Sequence, residues 1–183
     1  MQEMSVVKKS IITAVCLALC VVLPIAFHAV PNAGSIYLPM HIPVLLGGLI
    51  CGWQFGLLCG LAGPALSTLF TGMPPAAILP IMMIELAVYG LVSGLMMKLI
   101  RSKSTYVDLY ISLIIAMLSG RIVAGLARAL IFARGNTTIA TWTTSYFVTS
   151  LPGIIIQLVL IPTIVFALMQ AKLIPMRYPQ KRA

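Results

Sequence analysis

The chain has 183 residues, of which 61% are hydrophobic and only 8% charged, with a mean hydropathy of +1.09. No soluble domain of this size hides so much apolar surface, so lipid must cover part of it. The net charge of +9 would suit nucleic acid, but its placement excludes that partner: Lys8, Lys9, Lys98, Arg101, Lys103, Lys172, Arg177, Lys181 and Arg182 all flank apolar runs, the pattern of charges that fix topology.

Six apolar spans follow in chain order, at about residues 10–30, 38–53, 55–71, 76–99, 106–133 and 145–173. With short loops they nearly exhaust the length, which predicts one integral membrane domain over 1–183 and leaves no room for a soluble catalytic domain. The first span follows Lys8 and Lys9 as a signal peptide would. It is too long for an h-region and lacks a small-residue cleavage site, so it reads as a retained helix. Pro31 to Ser35 breaks it. The second and third spans carry Gly47, Gly48, Gly52, Gly56, Gly60 and Gly63. Small residues let membrane helices approach closely, so these two spans should form a tight pair. Cys16, Cys20, Cys51 and Cys59 lie inside spans without a CxxC spacing, as small buried hydrophobes do.

The fourth span holds Glu85, the one carboxylate deep in apolar sequence. The fifth holds Arg121 and, two turns on, Arg128. An uncharged, Thr-rich loop from Gly135 to Thr144 leads to the sixth, where Pro152 and Pro162 are expected kinks. An even number of spans puts both termini on one side. The basic residues cluster at both termini and between spans four and five, so N-in, C-in follows, with Arg134 the one exception.

A carboxylate in hydrocarbon is costly, so Glu85 must face a bundle interior, a polar partner or a water-filled cavity. Counting along the spans puts Glu85, Arg121 and Gln157 near the midplane, with Tyr89 one turn from Glu85 on the same face. Two readings stand side by side: a buried Glu85–Arg121 ion pair joining spans four and five, or a polar pocket floor for a hydrophilic solute. The surplus of Arg128 leans towards a solute with an anionic group. His28 and His41 flank the first outer loop. Trp142 and Tyr146 open the sixth span, either as an interfacial aromatic belt or as a wall over a ring-bearing solute. No nucleophile-and-base set and no HExxH motif occurs, which argues against an enzyme and a metal.

The stretch from Leu38-Pro39-Met40-His41-Ile42-Pro43 to Gly94, with Gly52-Trp53-Gln54-Phe55-Gly56-Leu57-Leu58 and Ser67-Thr68-Leu69-Phe70-Thr71-Gly72, resembles the substrate-binding S component of energy-coupling factor (ECF) vitamin transporters. Ala14-Val15-Cys16-Leu17-Ala18 matches the Ala-xxx-Ala signature by which S components dock on the transmembrane scaffold subunit. The resemblance implies an all-α bundle of six transmembrane helices in the bacterial plasma membrane. It implies a binding subunit that captures a vitamin or precursor from outside and releases it by toppling. It further implies that a scaffold subunit and two ATPase subunits are its partners and that ATP is used only by them; no Walker A sequence occurs here. The family's pocket is built from the first outer loop and the outer halves of the last three helices. That position falls on Asn32, His41, Glu85, Tyr89, Arg121, Arg128, Trp142, Tyr146 and Gln157. Pantothenate, a B6 vitamer and hydroxymethylpyrimidine are candidate solutes, pantothenate fitting the Arg surplus slightly better. A membrane scaffold protein without a solute is the alternative.

Overall fold

The structure is a computed structural model that describes residues 4–27, 32–132 and 138–178. Glu3, His28, Arg134, Lys181 and Arg182 lie outside the described residues. Helix α1 is Val6–Ala26, started by the Ser5 side chain, which accepts from the Lys8 backbone N–H at 3.3 Å. Short α2 is Ala33–Tyr37, followed by α3, His41–Cys51, and α4, Trp53–Thr71. Then come α5, Leu79–Leu99, and α6, Thr105–Ala127, which runs on as a π-helical turn, Arg128–Phe132. Helix α7 is Ile139–Thr143, continued by a second π-helical turn, Thr144–Val148, and α8 is Leu151–Gln170. The described residues contain no strand. Six segments are long and apolar enough to cross a membrane, the second of them Gly34–Cys51.

The second expected span, 38–53, is thus shorter than expected, α3 alone, and residues 33–37, expected as loop, form α2 before it. Leu38, with φ 52°, stands between α2 and α3 in the left-handed region, where helix cannot continue. What remains, HIPVLLGGLIC, is apolar on every side, and a helix apolar all round is buried. Every residue of α3 except Ile50 is buried, and α3 packs against α1, α4, α5, α6 and α8 as the axis of the bundle. Between α3 and α4 the chain turns on one residue, Gly52, whose φ of 98° suits glycine best.

The sixth span also differs from expectation. Residues expected to be loop form α7, begun by a Thr138–Thr141 capping box. Trp142 and Tyr146 belong to this arm, not to the start of α8. Pro152 lies in the first turn of α8, where a missing N–H costs nothing, rather than kinking a longer helix; Pro162 is inside α8 as expected.

The glycines pack more widely than a simple pair. A Cβ on Gly56 would meet the Gly90 carbonyl and the Gly48 Cα. One on Gly60 would meet the Leu86 backbone, and one on Gly94 the backbone of Gly52 and Trp53. So α3 and α4 do meet at Gly48 and Gly56, but the seam also takes in α5. The four cysteines are free and buried.

One end of the bundle gathers Lys8, Lys9, the Gly52 turn, the 100–104 loop and the chain after α8. There Asp108, fully buried, is the centre of a clasp. Arg177 Nε lies 2.6 Å from Asp108 Oδ2, and the Tyr178 hydroxyl donates to the same oxygen at 2.6 Å. Ser102 donates its backbone N–H and its hydroxyl to Oδ1 at 2.7 and 2.6 Å. The Arg177 guanidinium also donates to the carbonyls of Met97 and Ile100, capping the C-terminus of α5.

Candidate functional site

The opposite end holds the second polar cluster. Along α5 the residues Ile81, Glu85 and Tyr89 recur every fourth position on the buried face. Glu85 is six positions inside the near end of α5, Arg121 six inside that of α6, and Gln157 six inside that of α8. Six residues are ~9 Å of helix; because the α6 span runs on to Ile131, Arg121 lies ten residues, ~15 Å, inside the end of that span.

Arg121 is the centre of the cluster and is 2% exposed. A buried guanidinium must find partners, because desolvating it alone costs several kcal/mol, roughly. Its Nε donates to the Tyr89 hydroxyl at 2.9 Å and its Nη1 to the Ser150 hydroxyl at 2.8 Å. Its face lies 5.3 Å from the centre of the Phe147 ring. Ser150 donates its own hydroxyl hydrogen bond to the Tyr146 carbonyl at 2.6 Å. Arg121 therefore joins α5, α6 and the chain before α8. The ion pair with Glu85 weighed from sequence does not form; the hydroxyls of Tyr89 and Ser150 take its place.

Glu85 instead faces His41. His41 Nε2 stands 3.7 Å from Glu85 Oε1, an ion-pair distance but too long for a hydrogen bond. The His41 ring is edge-on to Tyr89, with centroids 5.3 Å apart. Neither His41 nitrogen has a hydrogen-bond partner, and neither does either amide atom of buried Gln157. Gly153, one turn before Gln157 on the buried face of α8, rests against the backbone of Ile36 and Tyr37. That contact brings the Gln157 face of α8 to the level where α3 begins with His41.

The 138–148 arm closes over this group. The Trp142 indole sits on Gly125, where a Cβ would strike it, and its Nε1–H donates to the Arg121 carbonyl at 3.3 Å. Trp142 also lies edge-on to Phe147 at 5.3 Å. The Tyr146 hydroxyl is within electrostatic reach of Arg128, Glu85 and Arg121. The structure thus brings together His41, Glu85, Tyr89, Arg121, Trp142 and Tyr146, with Gln157 on the adjoining face. Arg128 is exposed at the rim beside Tyr146. Asn32 is exposed at the start of α2, its side chain making no cap hydrogen bond. Ala14 and Ala18 are both exposed on α1, in one stripe with Ile11, Val15 and Val22.

The family model for the ECF transporter substrate-specific component matches residues 8–165. The chain belongs to this family. No curated protein and no solved structure matches it. It is a multi-pass membrane protein and a substrate-binding subunit, of a family of transport components rather than enzymes. Membership implies association with an ECF energising module and a small-molecule substrate. The match spans α1 to most of α8, so every residue of the polar cluster in this S component lies within it.

Four residues of the cluster escaped the sequence reading. Gly120 leaves room for the Tyr89 ring and Gly125 for the Trp142 indole. The spacing Gly120-Arg121 and Gly125, a small residue just before the cation and another one turn on, was the available signal. Ser150 and Phe147 gave none, because only the fold of the 138–148 arm brings them to Arg121.

Proposed function

We propose that this S component captures a water-soluble vitamin or vitamin precursor at the Glu85–Tyr89–Arg121 cluster. The observation that carries the reading is a buried polar group with unpaired His41 and Gln157 atoms at one end of an apolar bundle. Buried polar atoms without partners are rare, and a solute is the natural partner here. The positive-inside rule puts the basic end in the cytoplasm, so the cluster opens outward. His41, Glu85, Tyr89, Arg121, Trp142, Tyr146 and Gln157 would form the pocket, with Asn32 and Arg128 at its rim. The chain would sit in the bacterial plasma membrane and bind without a cofactor of its own. Docked on the scaffold subunit, with two ATPase subunits hydrolysing ATP, it would topple and release the solute inside.

Thermal-shift measurement of the purified S component against a vitamin panel, without ATP, tests this. One member at 100 times its Kd should stabilise the fold by about 2.7 kcal/mol. A panel in which no member raises the melting temperature overturns the reading and favours a scaffold protein without a solute.

The exposed Ala14 and Ala18 offer a flat surface on which another helix can seat closely. Ala18→Trp should abolish vitamin uptake in cells carrying the energising module while leaving solute binding to the purified subunit unchanged. Loss of binding together with uptake would show that Ala18 serves the fold and not docking.

A further inference from the structure

The cluster has a charge order that sequence alone could not show. Its buried cation is occupied. Arg121 spends Nε on Tyr89 and Nη1 on Ser150, and Phe147 covers its face. Arg128 faces Tyr146. The carboxylate is the group left open. Glu85 keeps 11% of its side-chain surface accessible although it lies on the buried face of α5. His41 Nε2 stands too far for a hydrogen bond, and the Tyr89 hydroxyl, which accepts from Arg121, keeps one proton to donate to the carboxylate. An ionised carboxylate has about four acceptor sites, so even a proton from Tyr89 leaves most of them unfilled.

Resting on the S-component reading above, we infer that the solute is a flat nitrogen heterocycle, neutral or cationic, that presents an N–H donor to Glu85. His41 and Gln157 each carry both a donor and an acceptor without a partner, and such groups match the mixed edge of a nitrogen ring. Tyr89 lies edge-on to His41, and Trp142 and Phe147 pair beside Arg121 in the same cluster. A π-system with a polar edge fits such a wall. A carboxylate solute, by contrast, would meet Glu85 as a like charge, with Arg121 already committed. The excess of arginine counted along the sequence therefore does not translate into an anion site.

The test compares matched probes on the purified S component by calorimetry: benzimidazole against 1-methylbenzimidazole, and 4-aminopyrimidine against 4-(dimethylamino)pyrimidine, with pantothenate and nicotinate as carboxylates. The N–H member of at least one pair should bind, and its methylated partner should bind roughly 10- to 100-fold more weakly, the weight of a hydrogen bond to a charged group. Glu85→Gln, checked for a native melting profile, should lose a similar factor for the N–H probe. Where that variant does not fold, the methylated pair on the unaltered protein decides. Equal affinity within both pairs, no binding by either heterocycle, or tighter binding of a carboxylate overturns the inference. A carboxylate that binds leaves the S-component reading intact; a whole vitamin panel that fails to bind overturns both.

Discussion

Gly90→Ala should leave little or no folded S component. The added Cβ would fall on the Gly56 carbonyl and Cα, nearer than real Cβ atoms approach anything. Those atoms are backbone, so no rotamer change relieves the clash. Helices α4 and α5 would have to separate, and α3 with them, because Gly48 packs on Gly90 and Ser93 in the same seam. Overpacking a tight core costs about 1–3 kcal/mol, and a backbone-on-backbone clash belongs at or above the top of that range. Yield of monodisperse protein in detergent and its melting temperature measure the effect. Gly34→Ala is the control, since its Cβ meets nothing within 4 Å. A Gly90→Ala protein as stable as the parent would show that the two helices do not pack at this distance.

Asp108→Ala should destabilise the basic end by about 3 kcal/mol or more, the scale of breaking a buried pair by removing one partner. Four hydrogen-bonding or ionic contacts converge on this carboxylate, and Arg177 would keep its carbonyl partners but lose its counter-charge. The loss should be partly recovered in the Asp108→Ala, Arg177→Met double variant, because the orphaned cation is then gone too. A double-mutant cycle on melting free energies reads this; strictly additive losses would mean that the two side chains do not interact.

Much of this molecule was legible in its sequence. Composition and the six apolar runs specify an all-helical bundle, because lipid leaves a backbone few other choices. Glu85 and Arg121 stood out because a charge inside an apolar run has to be accommodated, and Tyr89 followed from helical spacing. Their partners did not follow. A long, always-charged arginine can reach across helices, and whether it chooses a carboxylate or two hydroxyls depends on which loop folds back. Here Ser150 and Phe147 arrive on an arm that reads as a Thr-rich linker. The short α2 and the start of α3 at His41 rather than Leu38 were hidden for a different reason: hydropathy does not register a left-handed residue such as Leu38. The breadth of the glycine seam was readable in principle. Gly90 and Gly94 sit four apart in the fourth span, the same spacing as Gly52, Gly56 and Gly60, but only three-dimensional packing matches one set to the other.

The shortness of α3 has a consequence for how the protein meets its membrane. Eleven residues of helix measure about 16 Å, roughly half the hydrocarbon thickness. The helices around it run from 19 to 23 residues and match the bilayer. Hydrophobic mismatch is therefore a property of the wall alone, and thicker or thinner lipid can tilt α1, α4, α5, α6 and α8 without lipid ever touching the axis. Because the axis stops short, its first residue, His41, ends below the rim that the longer helices build.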